Sequence, residues 1–167
     1  EMTVMTYWFL SWMPPWEHSS DQEAMAVSRG DLWPAFVNGI LDVLPPKAKI
    51  VDGNEYTYHS KLSDNGFAGE YIRTRKRLLP LVAEENRDKF RNQVSLGFAI
   101  YIDMYVNPTN TAWYHGETNG SRLETLYRNL GNAMEVSDEY VWIYGEKLQQ
   151  VAWPEKFNLN AACKVRG

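Results

Sequence analysis

The chain has 167 residues, 44% hydrophobic and 23% charged, with a formal net charge of −4. That length and composition fit one domain with a packed core and exclude wholesale disorder. The acidic balance excludes a dedicated nucleic-acid binder, which would carry a basic face. No apolar run approaches a membrane span, so no membrane partner is expected.

The chain opens Glu-Met-Thr-Val and passes at once into an apolar run, with no charged leader or small-residue cleavage site. A core strand without lead-in reads as an excerpt from something longer. That first strand is expected over residues 4–10 (VMTYWFL). Trp33, Phe36, Val37, Ile40, Leu41 and Leu44 then repeat at helical spacing. Asp31 is a fitting N-cap, Pro34 falls in the tolerant first turn, and Pro45-Pro46 ends the run.

A second buried strand is expected over 48–51, running into Asp52. Residues 67–94 predict a longer helix, with Tyr71, Ile72, Leu78, Leu79, Val82, Phe90 and Val94 on one side and Pro80 breaking or kinking it. A third strand over 97–102 runs into Asp103. Ser121 and Glu124 form an S-x-x-E capping box for a helix carrying Leu123, Leu126, Tyr127, Leu130, Ala133 and Met134. The last strand spans 140–144 (YVWIY).

The order βαβαβαβ implies the α/β class, with about four parallel strands and right-handed crossovers. Loops leaving strands are long (12–30, 53–66, 104–120), whereas those entering strands are short (45–47, 95–96, 137–139). Long loops gathered at the carboxyl ends of parallel strands build active sites. A full eight-unit barrel needs about 250 residues, so residues 1–153 read as half of a (β/α)8 barrel. The alternative is an open four-stranded α/β sheet. Residues 154–167 read as a tail or the start of a truncated element. A half-barrel leaves two sheet edges bare. Its expected partners are therefore the missing N-terminal half or, failing that, another copy through self-association.

Chemistry-bearing residues cluster where strands end. Asp52-Gly53-Asn54-Glu55 follows the second strand, Asp103 the third, and Tyr144-Gly145-Glu146 the fourth. Glu55 and Glu146 are the candidate catalytic pair, because two carboxyl groups across a glycosidic bond supply acid and base, or acid and nucleophile. Asp52, Asn54 and Asp103 are candidate substrate-binding groups. Their other reading is that strand-end acids cap the following turns or pair with Arg73, Arg75 or Lys147. Asp138 and Glu139 precede the fourth strand and belong to the opposite, structural end.

Trp12, Trp16, Tyr56, Tyr58, Trp113 and Tyr114 lie in loops of the active face, and Tyr144 at its rim. Such rings either stack on sugars or pack the loops down. Trp8, Trp33 and Trp142 read as core. His18, His59 and His115 occupy the same loops and, with the acids, leave a metal-dependent hydrolase as a third reading. No H-x-H, H-E-x-x-H or clustered Cys/His spacing supports it, so no metal is assigned. Phosphate-cradling and nucleophile-elbow motifs are absent too, and no cofactor is expected.

Three stretches, DGNEYTYHS (52–60), GFAIYIDMYVN (97–107) and NAMEVSDEYVWIYGEK (132–147), together with the opening TYWFLSWM, carry a family likeness. They resemble the later half of bacterial glycoside-hydrolase-like (β/α)8-barrel proteins. That resemblance covers residues 1–153 and implies a TIM-barrel fold, a carbohydrate substrate and acidic catalysis. By the same resemblance, Asn54-Glu55 matches the Asn-Glu pair that carries the acid/base in a large clan of retaining glycosidases. Glu146 loosely matches a strand-end nucleophile. The clan's acids lie three strands apart, whereas here they lie two apart. A non-catalytic carbohydrate-binding or interaction module is the alternative function.

Overall fold

In the computed structural model, which describes residues 2–6, 33–59, 66–115 and 120–147, strands alternate with helices. The elements are β1 (Met2–Thr6), α1 (Trp33–Val43), β2 (Ala48–Asp52), α2 (Gly66–Leu78), α3 (Arg87–Gln93), β3 (Val94–Leu96), β4 (Phe98–Tyr101), α4 (Arg122–Val136) and β5 (Val141–Tyr144). Every pairing among the described residues is parallel: β1 with β2, β2 with β3, and β4 with β5. Parallel strands joined by helices place the protein in the α/β class. β1-β2-β3 form one sheet and β4-β5 a second.

The division between the sheets falls at Gly97. Before it the chain pairs with β2, and after it with β5. Gly97 N donates to Asp52 O at 2.7 Å, while Phe98 N turns to Tyr140 O at 3.3 Å. A Cβ at position 97 would lie 2.8 Å from Tyr140 O and 3.2 Å from Asp52 O, so a side chain would collide with backbone on two sides. Thr57 takes up the strand edge that β2 leaves behind. Its hydroxyl accepts from Ala99 N at 3.0 Å and lies 2.7 Å from Asn54 O and 3.1 Å from Ala99 O, either of which can take its proton. A buried strand edge thus stays hydrogen-bonded without a neighbouring strand.

Among the described residues two clusters make the core. Val37, Leu41, Ile50, Leu78, Val82, Phe90, Val94 and Leu96 pack α1, α2 and α3 onto the first sheet. Phe67, Phe98, Ile100, Leu126, Leu130 and Ala133 pack α2 and α4 onto the second. At the entry end, Asp138 accepts from Leu96 N at 2.7 Å and from the Tyr71 hydroxyl at 2.6 Å, and pairs with Arg75. Glu139 pairs with Lys49. Both acids serve structure, as their place before the last strand implies.

The Ser121–Glu124 capping box forms in full. Ser121 N donates to Glu124 Oε2 at 2.6 Å, and Glu124 N to Ser121 Oγ at 3.3 Å. Other boundaries differ from expectation. The first strand begins two residues early, and residues 7–10 lie outside the described residues. The single helix expected over 67–94 is two helices, with 3₁₀ turns Leu79–Leu81 and Glu84–Asn86 between them. Pro80 offers no N–H to continue α2.

Val94 to Leu96, expected as helix end and loop, form β3. Ile102 leaves the third strand for a 3₁₀ turn, Ile102–Tyr105. The apolar stripes also run wider than the core they cover. Phe36 on α1 and Leu123, Tyr127 and Met134 on α4 stay exposed. The Asp31 cap, Trp8 and residues 154–167 lie outside the described residues, as does the side chain of Trp33.

Candidate active site

The strands deliver their last residues to one end. At the exit of β2, Asp52 is fully buried and its Oδ1 accepts from Asn54 N at 2.7 Å. This short turn puts Asn54 in the left-handed region, at φ 44°, a conformation asparagine tolerates better than most residues. Asn54 is 1% exposed, and neither its amide oxygen nor its nitrogen has a hydrogen-bond partner among the described residues. Glu55 follows, half-buried, as the first residue of the 3₁₀ turn Glu55–His59.

At the exit of β4, Asp103 is buried and reaches across to β5. Its Oδ2 accepts from Glu146 N at 2.9 Å and Lys147 N at 3.0 Å. Asp103 therefore fixes the backbone that carries Glu146. Its own carbonyl accepts from Val106 N and Asn107 N, which closes the turn after β4. Asn107 ties down the next loop: Nδ2 donates to Trp113 O at 2.8 Å, and Oδ1 accepts from Lys147 Nζ at 2.7 Å. Arg122 Nη1 donates to Asn107 O at 2.7 Å from the start of α4.

Between these exits lies an aromatic floor. Tyr101 and Tyr144, the last residues of β4 and β5, stack at 5.4 Å between ring centroids. Tyr58 stacks on Tyr144 at 5.9 Å, and Trp113 meets Tyr101 edge-on at 5.9 Å. Trp142 adds a tilted contact to Tyr58 at 5.7 Å, while its Nε1 donates to Gly53 O at 2.8 Å and so ties β5 to the exit of β2. Trp113 is 43% exposed and Tyr144 37%, whereas Tyr58 is 7% exposed.

The carboxylates act on these rings. Tyr144 Oη donates to Glu146 Oε1 at 3.2 Å. Burial raises the pKa of the Tyr144 phenol, and the negative charges of Glu146, Glu55 and Asp103 raise it further. Burial likewise raises the pKa of the Tyr101 phenol, and the negative charges of Asp103 and Glu146 raise it further. Three carboxylates from three strand exits thus bear on two adjacent phenols.

Glu146, Asp103, Trp113 and Tyr144 therefore come together, and the charge of Glu55 acts on the Tyr144 phenol. Asp52 and Asp103, expected to bind substrate, sit beneath the rim with a carboxylate oxygen of each holding backbone N–H groups. Tyr58, expected as a loop platform, is buried because the 3₁₀ turn rolls it under the second sheet, where it packs on Tyr101 and Trp142. Trp142, expected in the core, is half-buried at the edge of the floor.

Trp12, Trp16 and His18 lie outside the described residues, as do the side chains of Tyr56 and His59. His115 is buried against the Tyr105 ring at 4.9 Å, and its backbone N donates to Met104 O. Among the described residues no three His, Cys, Asp or Glu side chains are placed to hold a metal ion. No described helix is long and apolar enough to cross a membrane.

Sequence reasoning missed Tyr101 and Asn107, and gave Lys147 only as an ion-pair partner for a strand-end acid, whereas its Nζ donates to Asn107 Oδ1. A signal for Tyr101 was present: it stands two residues before a strand-end acid, the spacing that shares a face in extended chain. Asn107 and Lys147 act through loop contacts that no local pattern announces.

No family model matches the chain, and no curated protein or solved structure is significantly similar to it. What the site can do therefore rests on its own geometry. It has two glutamates in no ion pair with any described residue, an aromatic floor, and a buried amide with hydrogen-bonding capacity to spare.

Proposed function

We propose that the protein hydrolyses glycosidic bonds, with Glu55 as general acid/base and Glu146 as nucleophile or second carboxylate. One observation carries the reading: glutamates from the exits of β2 and β5 bear on the same phenol, Tyr144, Glu146 by direct hydrogen bond. Glu55 would protonate the leaving oxygen. Glu146 would attack the anomeric carbon or activate a water, according to the carboxyl separation. Trp113 and Tyr144 expose ring surface on which a sugar face can stack while its hydroxyls stay hydrated. Asp103 acts as a positioning residue, because it holds the backbone of Glu146.

The wider architecture in this proposal is half of a (β/α)8 barrel. Its support is the parallel order and the collection of strand exits at one end. β1 and β5 each pair on one side only among the described residues. The complementary half-barrel would cover those edges, and without it the chain would self-associate.

The test is Glu55→Gln in the full-length protein, with a circular-dichroism check of folding. Turnover should fall by at least about 100-fold while oligosaccharide affinity stays within about threefold. Unchanged turnover removes Glu55 from the mechanism. The exposed faces of Trp113 and Tyr144 also suit a non-catalytic sugar-binding module. Wild-type protein that binds oligosaccharide without cleaving it would favour that reading.

A further inference from the structure

Glu55 and Glu146 differ from the acids at the entry end of the strands, where Asp138 and Glu139 are paired with Arg75 and Lys49. Neither Glu55 nor Glu146 forms an ion pair with a described residue. The nearby cations are turned to other work. Lys147 Nζ donates to Asn107 Oδ1 at 2.7 Å. Arg122 donates to Asn107 O and lies over the Tyr114 ring, 5.0 Å from its centroid. Asp103 adds a third carboxylate, whose Oδ2 accepts backbone N–H groups and which forms no ion pair with a described residue.

The floor beside these charges is aromatic, and the face of an aromatic ring attracts cations. Directly before Glu55, the buried Asn54 amide has neither polar atom satisfied among the described residues. A buried amide in that state has hydrogen-bonding capacity left for a polar partner. Carboxylates without a counter-cation, exposed aromatic faces and an unsatisfied buried amide are together complementary to a polyhydroxylated ring bearing a positive charge. A neutral sugar would leave the charge uncompensated, and a uronate would add to it.

We propose that the site selects sugars carrying a protonated amine, as in oligosaccharides of 2-amino-2-deoxyhexose, over neutral or acidic sugars of the same length. This inference rests on the reading of the site as a carbohydrate site and names its substrate class.

Titration calorimetry on the full chain tests it with three probes of equal length: a glucosamine trisaccharide, its N-acetylated form and a neutral glucose trisaccharide. At about pH 6 the free amine is cationic. The glucosamine probe should bind about tenfold more tightly than the other two. Raising salt from about 0.05 to about 0.5 M should remove most of that advantage. Glu146→Gln should reduce the preference, with folding checked by circular dichroism. Trp113→Ala, at an exposed loop position, should weaken binding of all three probes, which general attraction to an acidic protein would not do.

Equal affinity for the amine and neutral probes overturns the inference and leaves the carbohydrate reading standing. Failure to bind any of the three overturns both. An amine preference that survives Trp113→Ala with all affinities unchanged places the charge attraction elsewhere on the protein and overturns the assignment to this site.

Discussion

Tyr101 and Tyr144 form the last rung of the β4–β5 ladder, register partners whose ring planes lie 29° apart at 5.4 Å. An acid follows each tyrosine by two residues, Asp103 and Glu146, and the parallel register carries both acids to the same end. Asp103 then binds the backbone N–H of Glu146, which locks the two exits together. The convergence of charge on this rung gives the first prediction. Near-ultraviolet absorbance titration should show both phenols ionising above ordinary tyrosines. Glu146→Gln should move both back toward the usual value, since one of the charges opposing ionisation is gone. A tyrosine titration unaffected by that substitution would mean Glu146 does not face these rings.

Tyr105 offers a separate test of burial. Its phenol is pushed up to about 12, chiefly by desolvation, against an opposing effect of Asn129 Nδ2, which donates to it at 2.5 Å. The folded phenol holds its proton more tightly than the unfolded one, whose value is about 10. Its contribution to stability is therefore complete below about pH 10 and lost as pH rises toward about 12. Tyr105→Phe should flatten the fall in urea-unfolding free energy across that window. A slope equal to that of the wild type would contradict the assignment.

Asp103 is read as a clamp on the exit of β5, and two substitutions separate that role from charge. Asp103→Ala removes the acceptor for two part-buried backbone N–H groups and should cost about 1–3 kcal/mol in denaturant unfolding. Asp103→Asn keeps an acceptor oxygen and should cost less, about 0.5 kcal/mol. Turnover should follow the same order, because the backbone of Glu146 is what the clamp holds. Equal stability of the two variants would show that the carboxylate's hydrogen bonds do not carry the loop.

Gly97 sits where one sheet passes to the other, with backbone oxygens on two sides of its missing Cβ. Gly97→Ala should destabilise the protein by about 1–3 kcal/mol, since neither oxygen belongs to a flexible side chain that could yield. Thermal unfolding of this variant, compared with alanine at Gly39, where a Cβ meets nothing within 4 Å, isolates the steric cost. Gly39→Ala should be neutral or stabilising.

Features set by neighbours in sequence were the ones legible without coordinates. The Ser121–Glu124 box, the break at Pro80, the parallel order and the strand-end acids all follow from local chemistry or periodicity. β3 was not legible, because Val-Ser-Leu continues directly from α3 with no turn residue to mark the change. Gly97 accordingly looked like the start of a strand, whereas it interrupts one. Tyr58 carried the same composition signal as Trp113, and only the roll of the 3₁₀ turn decides that one is buried and the other exposed. The roles of Asp52 and Asp103 also depended on distance in space. An acid at a strand end can face a ligand or cap a loop, and here each holds backbone N–H groups.

The pairing of Glu55 with Glu146 is tested most directly by the separation of their carboxyl groups in a crystal structure of the protein with an oligosaccharide bound. The account predicts about 5–9.5 Å, with the glycosidic oxygen between the two groups and a sugar ring against Trp113 or Tyr144. Carboxyl groups much farther apart, or a sugar seated away from this rung, would contradict it.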